Sequence, residues 1–252
     1  MGVWIDRLLP LFGVLLLFLA WWLISVSGWV NPVLLPTPFA TIGHLFSAIF
    51  AGTMMVDFNA TVLRTFQSFL LAALIGVPLG VALGSSERVY RSVEFLIDFF
   101  RSTPASALIP MFILFFGISD ISKVIIAAFS ALLLILFNSA YGVINAKRSR
   151  ILAARVMGAN QWQTFKDVLL WESMPQTFIG LRSGISIALV IVIVAEMFIG
   201  TQHGLGKRII DAQQVLNVKD MYASILITGI LGYVLNMLFL TFEKRFIHWS
   251  GK

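Results

Sequence analysis

Cysteine is absent from the 252 residues, which excludes disulfides, thiolate metal sites and cysteine nucleophiles. Charge is scarce too. Only 12% of the residues are Asp, Glu, Lys or Arg, against roughly a quarter in soluble domains. Hydrocarbon fills the gap, with 59% hydrophobic residues and a mean hydropathy of +0.92. A chain of this composition is an integral membrane protein. Catalytic signatures are missing as well. There is no HExxH or GxSxG pattern, and His44, His203 and His248 fall in stretches expected at three separate surface regions. The net charge of +6 is no nucleic-acid footprint, because the basic residues border apolar runs and so carry topology information. Met1 to Arg7 is too short and too acidic for a signal-peptide n-region, and no Ala-x-Ala site follows. The first apolar run is therefore expected to be retained.

Six apolar runs are long enough to cross a hydrocarbon core, which takes about 20 helical residues. They are 9–28, 62–84, 95–117, 122–145, 177–199 and 222–242. Pro32, Pro36 and Pro38 break the link after the first run, and Ala40 to Phe50 is expected as a surface helix. Counting Lys and Arg with the N-terminus inside gives eleven cytoplasmic residues: Arg7, Arg88, Arg91, Lys147, Arg148, Arg150, Arg155, Lys166, Lys244, Arg245 and Lys252. Five lie outside: Arg64, Lys123, Lys207, Arg208 and Lys219. The asymmetry predicts both termini in the cytoplasm. One domain, all-α and membrane-embedded, accounts for the whole chain.

Several polar residues interrupt the spans. Gly76 and Gly80 form a GxxxG pattern, read first as close packing within the subunit and second as a dimer contact. The third run holds Asp98 and Arg101, three apart and able to pair on one helix face, together with Pro104 and Pro110. Prolines at membrane depth are tolerated only against protein or a watery cavity, so this run is either a discontinuous pathway helix or a kink beside a snorkelling arginine. Asn138 in the fourth run and Arg182 in the fifth are further pathway candidates, and the two arginines suit an anion. Glu196 follows a long uncharged stretch. An acid there is a gate candidate or an outer-interface residue bonded to the glycine-rich loop beyond it. That loop, Gly200 to Arg208, is no phosphate loop. Thr201 stands where the first Walker glycine belongs, and Arg208 replaces the magnesium-binding Ser or Thr.

The longest polar interruption is Lys147 to Pro175. It reads as two short helices about Gly158, which can take the left-handed conformation that ends a helix. Asn160 is the N-cap of the second, with Gln163 placed for a capping box. Trp162, Phe165, Val168 and Leu169 share its apolar stripe, and Pro175 marks entry to the next run. Such a segment is either a docking surface or an amphipathic connector on lipid headgroups. Ala153-Ala154, Gly158-Ala159, Val168-Leu169-Leu170 and Pro175 resemble the EAA loop of ABC importer permeases. Leu152 stands where the family has glutamate, and Met174 precedes the matched proline. The resemblance runs from about Thr61 to the C-terminus. It is closest to the nitrate, sulfonate and taurine permeases in RSTPASALIPMFILFFGISDISKV and AEMFIGTQHGLG.

The resemblance implies a type I importer permease with six transmembrane helices and a cytoplasmic helix–turn–helix coupling loop. Ala153, Ala154, Gly158, Ala159, Trp162 and Phe165 would meet the ATPase. Two ABC ATPase subunits, a second permease copy, a periplasmic or lipid-anchored binding protein and membrane lipid are the implied partners, in a bacterial inner membrane. ATP and magnesium would bind the partner ATPase, leaving no cofactor on this chain and no catalysis. The substrate implied is a small anion such as nitrate, a sulfonate or taurine. A thiamine precursor, riboflavin or bicarbonate is the alternative, and an ATPase-independent carrier or channel a more distant one.

Overall fold

The computed structural model describes residues 2–247, with side chains from residue 12. The charges expected at Arg7 and Lys252, and His248, lie outside the described side chains. The regular elements among the described residues are all helices. In order they form α1 (Gly2–Val26), α2 (Pro38–Phe50), α3 (Thr53–Gly84), α4 (Glu87–Ser102) and α5 (Ile109–Phe116), then α6 (Asp120–Ile144), α7 (Arg148–Val156), α8 (Gln161–Thr164), α9 (Leu170–Ile199), α10 (Leu205–Gln214) and α11 (Val218–Phe246).

The core is a three-helix stack in which α6 packs on both α3 and α9. Small residues permit the close approach. A Cβ on Gly80 would lie 2.7 Å from the Ser139 Cβ, and one on Gly84 would lie 2.6 Å from the Ala140 carbonyl oxygen. The glycine pattern of α3 therefore serves packing inside the subunit, onto α6. The other flanks of these helices expose Leu63, Phe66, Leu70 and Leu74, a surface suited to lipid tails. Helix α11 packs on α9 and α2, with α10 against both α9 and α11. The surface helix expected after the prolines is α2. Thr37 caps it, and its Leu45 and Ala48 are buried.

Four described helices are long and apolar enough to cross a membrane: Thr53–Gly84, Asp120–Ile144, the composite Gln161–Ile199 and Val218–Phe246. The expected third span is not one rod. Helix α4 ends at Thr103, a short 3-10 turn spans Ala105–Leu108, and α5 follows at 89°. Pro104 favours the break, since the residue before a proline is pushed out of the helical region and Thr103 is extended (φ −77°, ψ 123°). Counted as one broken span, this pair makes a fifth. The described part of the first run, Phe12–Val26, is a shorter apolar helix.

The segment after Gly158 departs from expectation in another way. Pro175 lies inside α9 rather than at a boundary. Helix α8, a π-helical turn at Phe165–Leu169 and α9 form a continuous helical path from Gln161 to Ile199. The wider π turn is a recognised adjustment within helices, often found at functional sites.

Candidate functional site

Glu196 is buried to 1% exposure near the end of α9. Burying a carboxylate is costly unless it is paired and hydrogen-bonded, and here three groups meet it. Arg64 Nη1 donates at 2.6 Å, the Thr61 hydroxyl lies 3.0 and 2.9 Å from the two carboxylate oxygens, and the Gly206 N–H donates at 2.9 Å. The Leu205 N–H in turn donates to Thr61 Oγ1 at 2.9 Å. Arg64 extends the network through Nη1 to the His203 carbonyl (2.7 Å), Nη2 to Thr201 Oγ1 (3.0 Å) and Nε to Asp120 (3.1 Å). Lys123 also reaches Asp120, at 3.0 Å. One carboxylate thus ties α3 and α9 to the start of α10, and Arg64 adds α6 and the loop Gly200–Gly204. The loop must come very close, which its glycines allow. A Cβ on Gly206 would lie 2.8 Å from the Glu196 Cβ.

This placement corrects two expectations. Arg64 and Lys123 are not loop charges: both are buried on membrane-spanning helices. Nor are His44 and His203 in separate regions. His44 Nε2 is 3.0 Å from Asp220 Oδ1, Arg208 bonds both Asp220 and Asp57, and His203 Nδ1 is 3.8 Å from Asp57. His44 and His203 therefore border one cluster. Burial works against the charge on Arg208, but bonds and attraction from Asp220, then Asp57, outweigh it and raise its pKa above the ordinary value. Among the described residues no group of His, Asp and Glu is arranged to hold a metal.

The sequence reading missed Asp57, Thr61 and Arg64 as site residues. A signal was present, because at spacings of four and three they fall on one face of a helix. Counting Arg64 as a loop charge hid it.

At the other end of α9, the Gly158 turn has a defined geometry. Gly158 takes φ +88°. Its N–H donates to the Arg155 carbonyl, and the Ala159 N–H to the Ala154 carbonyl, both at 3.0 Å, the paired bonds of a Schellman ending. Asn160 and Gln163 exchange 2.8 Å bonds in a complete capping box. Trp162 stacks on Phe165, with ring centroids 5.7 Å apart. Trp162 is 68% exposed and Leu152 59%, with Val156 and Met157 also in the open, while Phe165, Ala154 and Ala159 are half-buried and Ala153 exposed. Arg150 pairs with Glu172, fastening α7 to α9.

The remaining pathway candidates scatter. Arg101 bonds Asp98 at 3.1 Å and lies over the Phe137 ring, beside the α4–α5 break. Asn138 accepts from Gln176 at 3.0 Å and donates to the Leu134 carbonyl, joining α6 to α9. Arg182 sits 3.6 Å from Glu243 on α11.

Comparison with known proteins agrees with this architecture. A probable ABC transporter permease protein of Brucella abortus is 29% identical over 232 residues, covering 92% of this chain and 91% of the relative. A putative aliphatic sulfonates transport permease of Bacillus subtilis, SsuC, is 27% identical over 231 residues, covering 92% and 83%. The fold also matches a chain of the MetNI methionine ABC transporter in an inward-facing conformation, with a TM-score of 0.69 at 21% identity, over 76% of this chain and 95% of that one. Residues 76–248 match the sequence profile of the binding-protein-dependent transport system inner membrane component. With well over half its length matched, this chain belongs to that family, the permeases of ABC importers.

Proposed function

We propose that this chain is the translocation subunit of an ATP-driven importer for a small anion, working as two copies with two separate ATPase subunits. The Gly158 segment lies in a groove of the ATPase, and the loop Gly200–Gly204 faces a substrate-binding protein on the opposite side. The observation that carries this reading is the helical path Gln161–Ile199. At 1.5 Å per residue it is about 58 Å long. It joins the exposed Trp162 end to the Glu196 network, so a displacement imposed at the ATPase reaches the far loop through continuous backbone. ATP then shifts the permease between inward- and outward-facing states only through the ATPase's different affinity for the two.

Orientation follows from charge. With Arg64 and Lys123 withdrawn into the spans, three of the outside basic residues remain against nine described ones counted with the Gly158 segment: Arg88, Arg91, Lys147, Arg148, Arg150, Arg155, Lys166, Lys244 and Arg245. That bias supports a cytoplasmic Gly158 segment and, with it, cytoplasmic termini. The sulfonate assignment of the Bacillus relative and the arginine beside the α4–α5 break favour an anionic cargo.

The test is Gly158→Val in the complex reconstituted with its ATPase and binding protein. Space is open around the position, so the effect comes from backbone strain at φ +88°, about 1–2 kcal/mol for a residue with a Cβ. Substrate-stimulated ATP hydrolysis and uptake should fall severalfold while membrane insertion persists. Unchanged stimulation would sink the coupling assignment.

A further inference from the structure

The break between α4 and α5 leaves a half-enclosed cavity of about 270 Å³. One wall comes from α6 at Ser130 and Leu134, near the middle of that span, and another from α9 at Ile187 and Ile191. The third comes from the end of α4. Arg101 reaches the cavity with its side chain 29% exposed. Its Nη1 donates to Asp98, and its guanidinium carbon sits 3.8 Å from the Phe137 ring centroid. A guanidinium carries five N–H donors in a planar fork suited to oxyanions, so the Asp98 contact leaves most of that capacity for a ligand. Apart from the Thr103 and Ser130 hydroxyls, which bond the Phe99 and Ile126 carbonyls, the rest of the lining is apolar. Phe100 and Phe129 meet edge to face at 5.6 Å and line it together with the two isoleucines.

A bare oxyanion such as nitrate would satisfy the arginine and leave the apolar walls facing water. An anion with a short alkyl tail covers both. The volume lies just below the roughly 300–1,000 Å³ of pockets for drug-sized ligands, which restricts the tail to a few carbons. We propose that this cavity is a substrate subsite for short alkyl anions of the sulfonate type, with the head on Arg101 and the tail between the two phenylalanines and α9. The inference rests on the importer reading and specifies which anion it carries.

The complex with its ATPase subunits, held in lipid nanodiscs without binding protein, would be titrated with radiolabelled ethanesulfonate in each nucleotide state. Saturable binding is expected in at least one state, with nitrate displacing it about tenfold less effectively because it lacks the buried ethyl group. Arg101→Gln should weaken binding about ten- to a hundredfold, the loss of a charged hydrogen bond, and Arg101→Lys should weaken it less. Ser130→Leu keeps every charge but fills the cavity, and should weaken binding by a similar factor. Co-purification with the ATPase establishes that each variant is assembled. Three results overturn the proposal: no saturable binding in any state, nitrate binding as tightly as ethanesulfonate, or wild-type affinity in assembled Arg101→Gln and Ser130→Leu. Binding-protein-stimulated ATP hydrolysis separates the two readings. If it persists while ethanesulfonate binding is absent, the subsite fails and the importer stands. If stimulation is absent from the wild-type complex, the importer reading itself fails.

Discussion

Removing Arg64 tests the Glu196 network most severely. Arg64→Met keeps much of the side-chain volume but leaves a carboxylate of 1% exposure with only the Thr61 hydroxyl and the Gly206 N–H. Orphaning one member of a buried pair costs about 3–5 kcal/mol. Glu196→Gln is gentler. It removes the charge-assisted 2.6 Å bond, worth about 1.5–3 kcal/mol, while Arg64 keeps Asp120 and the His203 carbonyl. Asp120 is 64% exposed in its side chain, so water screens that contact and it offsets little. At about 2–4 °C per kcal/mol for a chain of this size, Arg64→Met should lower the Tm of the purified permease by roughly 6–20 °C. The Arg64→Met, Glu196→Gln double variant no longer buries a lone charge. It should fall short of the summed single costs by about 1–3 kcal/mol. Uptake should drop most in assembled Arg64→Met, where the loop Gly200–Gly204 loses its bonds from Arg64, and less in Glu196→Gln, where those bonds remain. Additive effects within about 0.5 kcal/mol would refute the claim that these residues act as one unit. Full uptake by an assembled Glu196→Ala variant would reduce the network to packing.

Two further perturbations probe the rest of the structure. Gly80→Ala drives a Cβ into the Leu136 backbone and Ser139, an overpacking of about 1–3 kcal/mol that should lower Tm. Gly229→Ala in α11 meets nothing within 4 Å and should be neutral or stabilising by up to about 1 kcal/mol; equal shifts in the two variants would contradict the α3–α6 contact. Leu152→Glu restores a carboxylate on an exposed surface (59%), so Tm should stay within about 0.5 kcal/mol equivalent and substrate-stimulated ATP hydrolysis should be retained. A large loss of stability would mean that Leu152 is buried against a neighbour.

Composition and periodicity alone determined that the chain is a helical membrane protein, because hydrocarbon runs of bilayer length have no other stable fate in lipid. The Gly158 turn and the Asn160 capping box were equally legible, since both depend on residues within a few positions of each other. What lay beyond sequence was decided by distance along the chain. Nothing local to Glu196 reveals that its partners are Thr61 and Arg64, some 132 to 135 residues away. A buried charge near the end of a span reads the same whether it faces water or an arginine on another helix. Arg64 stands third in the apolar run that begins at residue 62, so it read as a charge at the outer end of a span, whereas α3 begins at Thr53 and carries it about three turns into the helix. Pro104 and Pro175 make the final contrast. Pro104 lies within a hydrophobic run and Pro175 at the entry to one, yet the chain turns by 89° at the first and the second stays inside a helix. A proline removes a backbone donor and crowds the preceding turn, but whether the chain breaks depends on the neighbouring helices that pack around it.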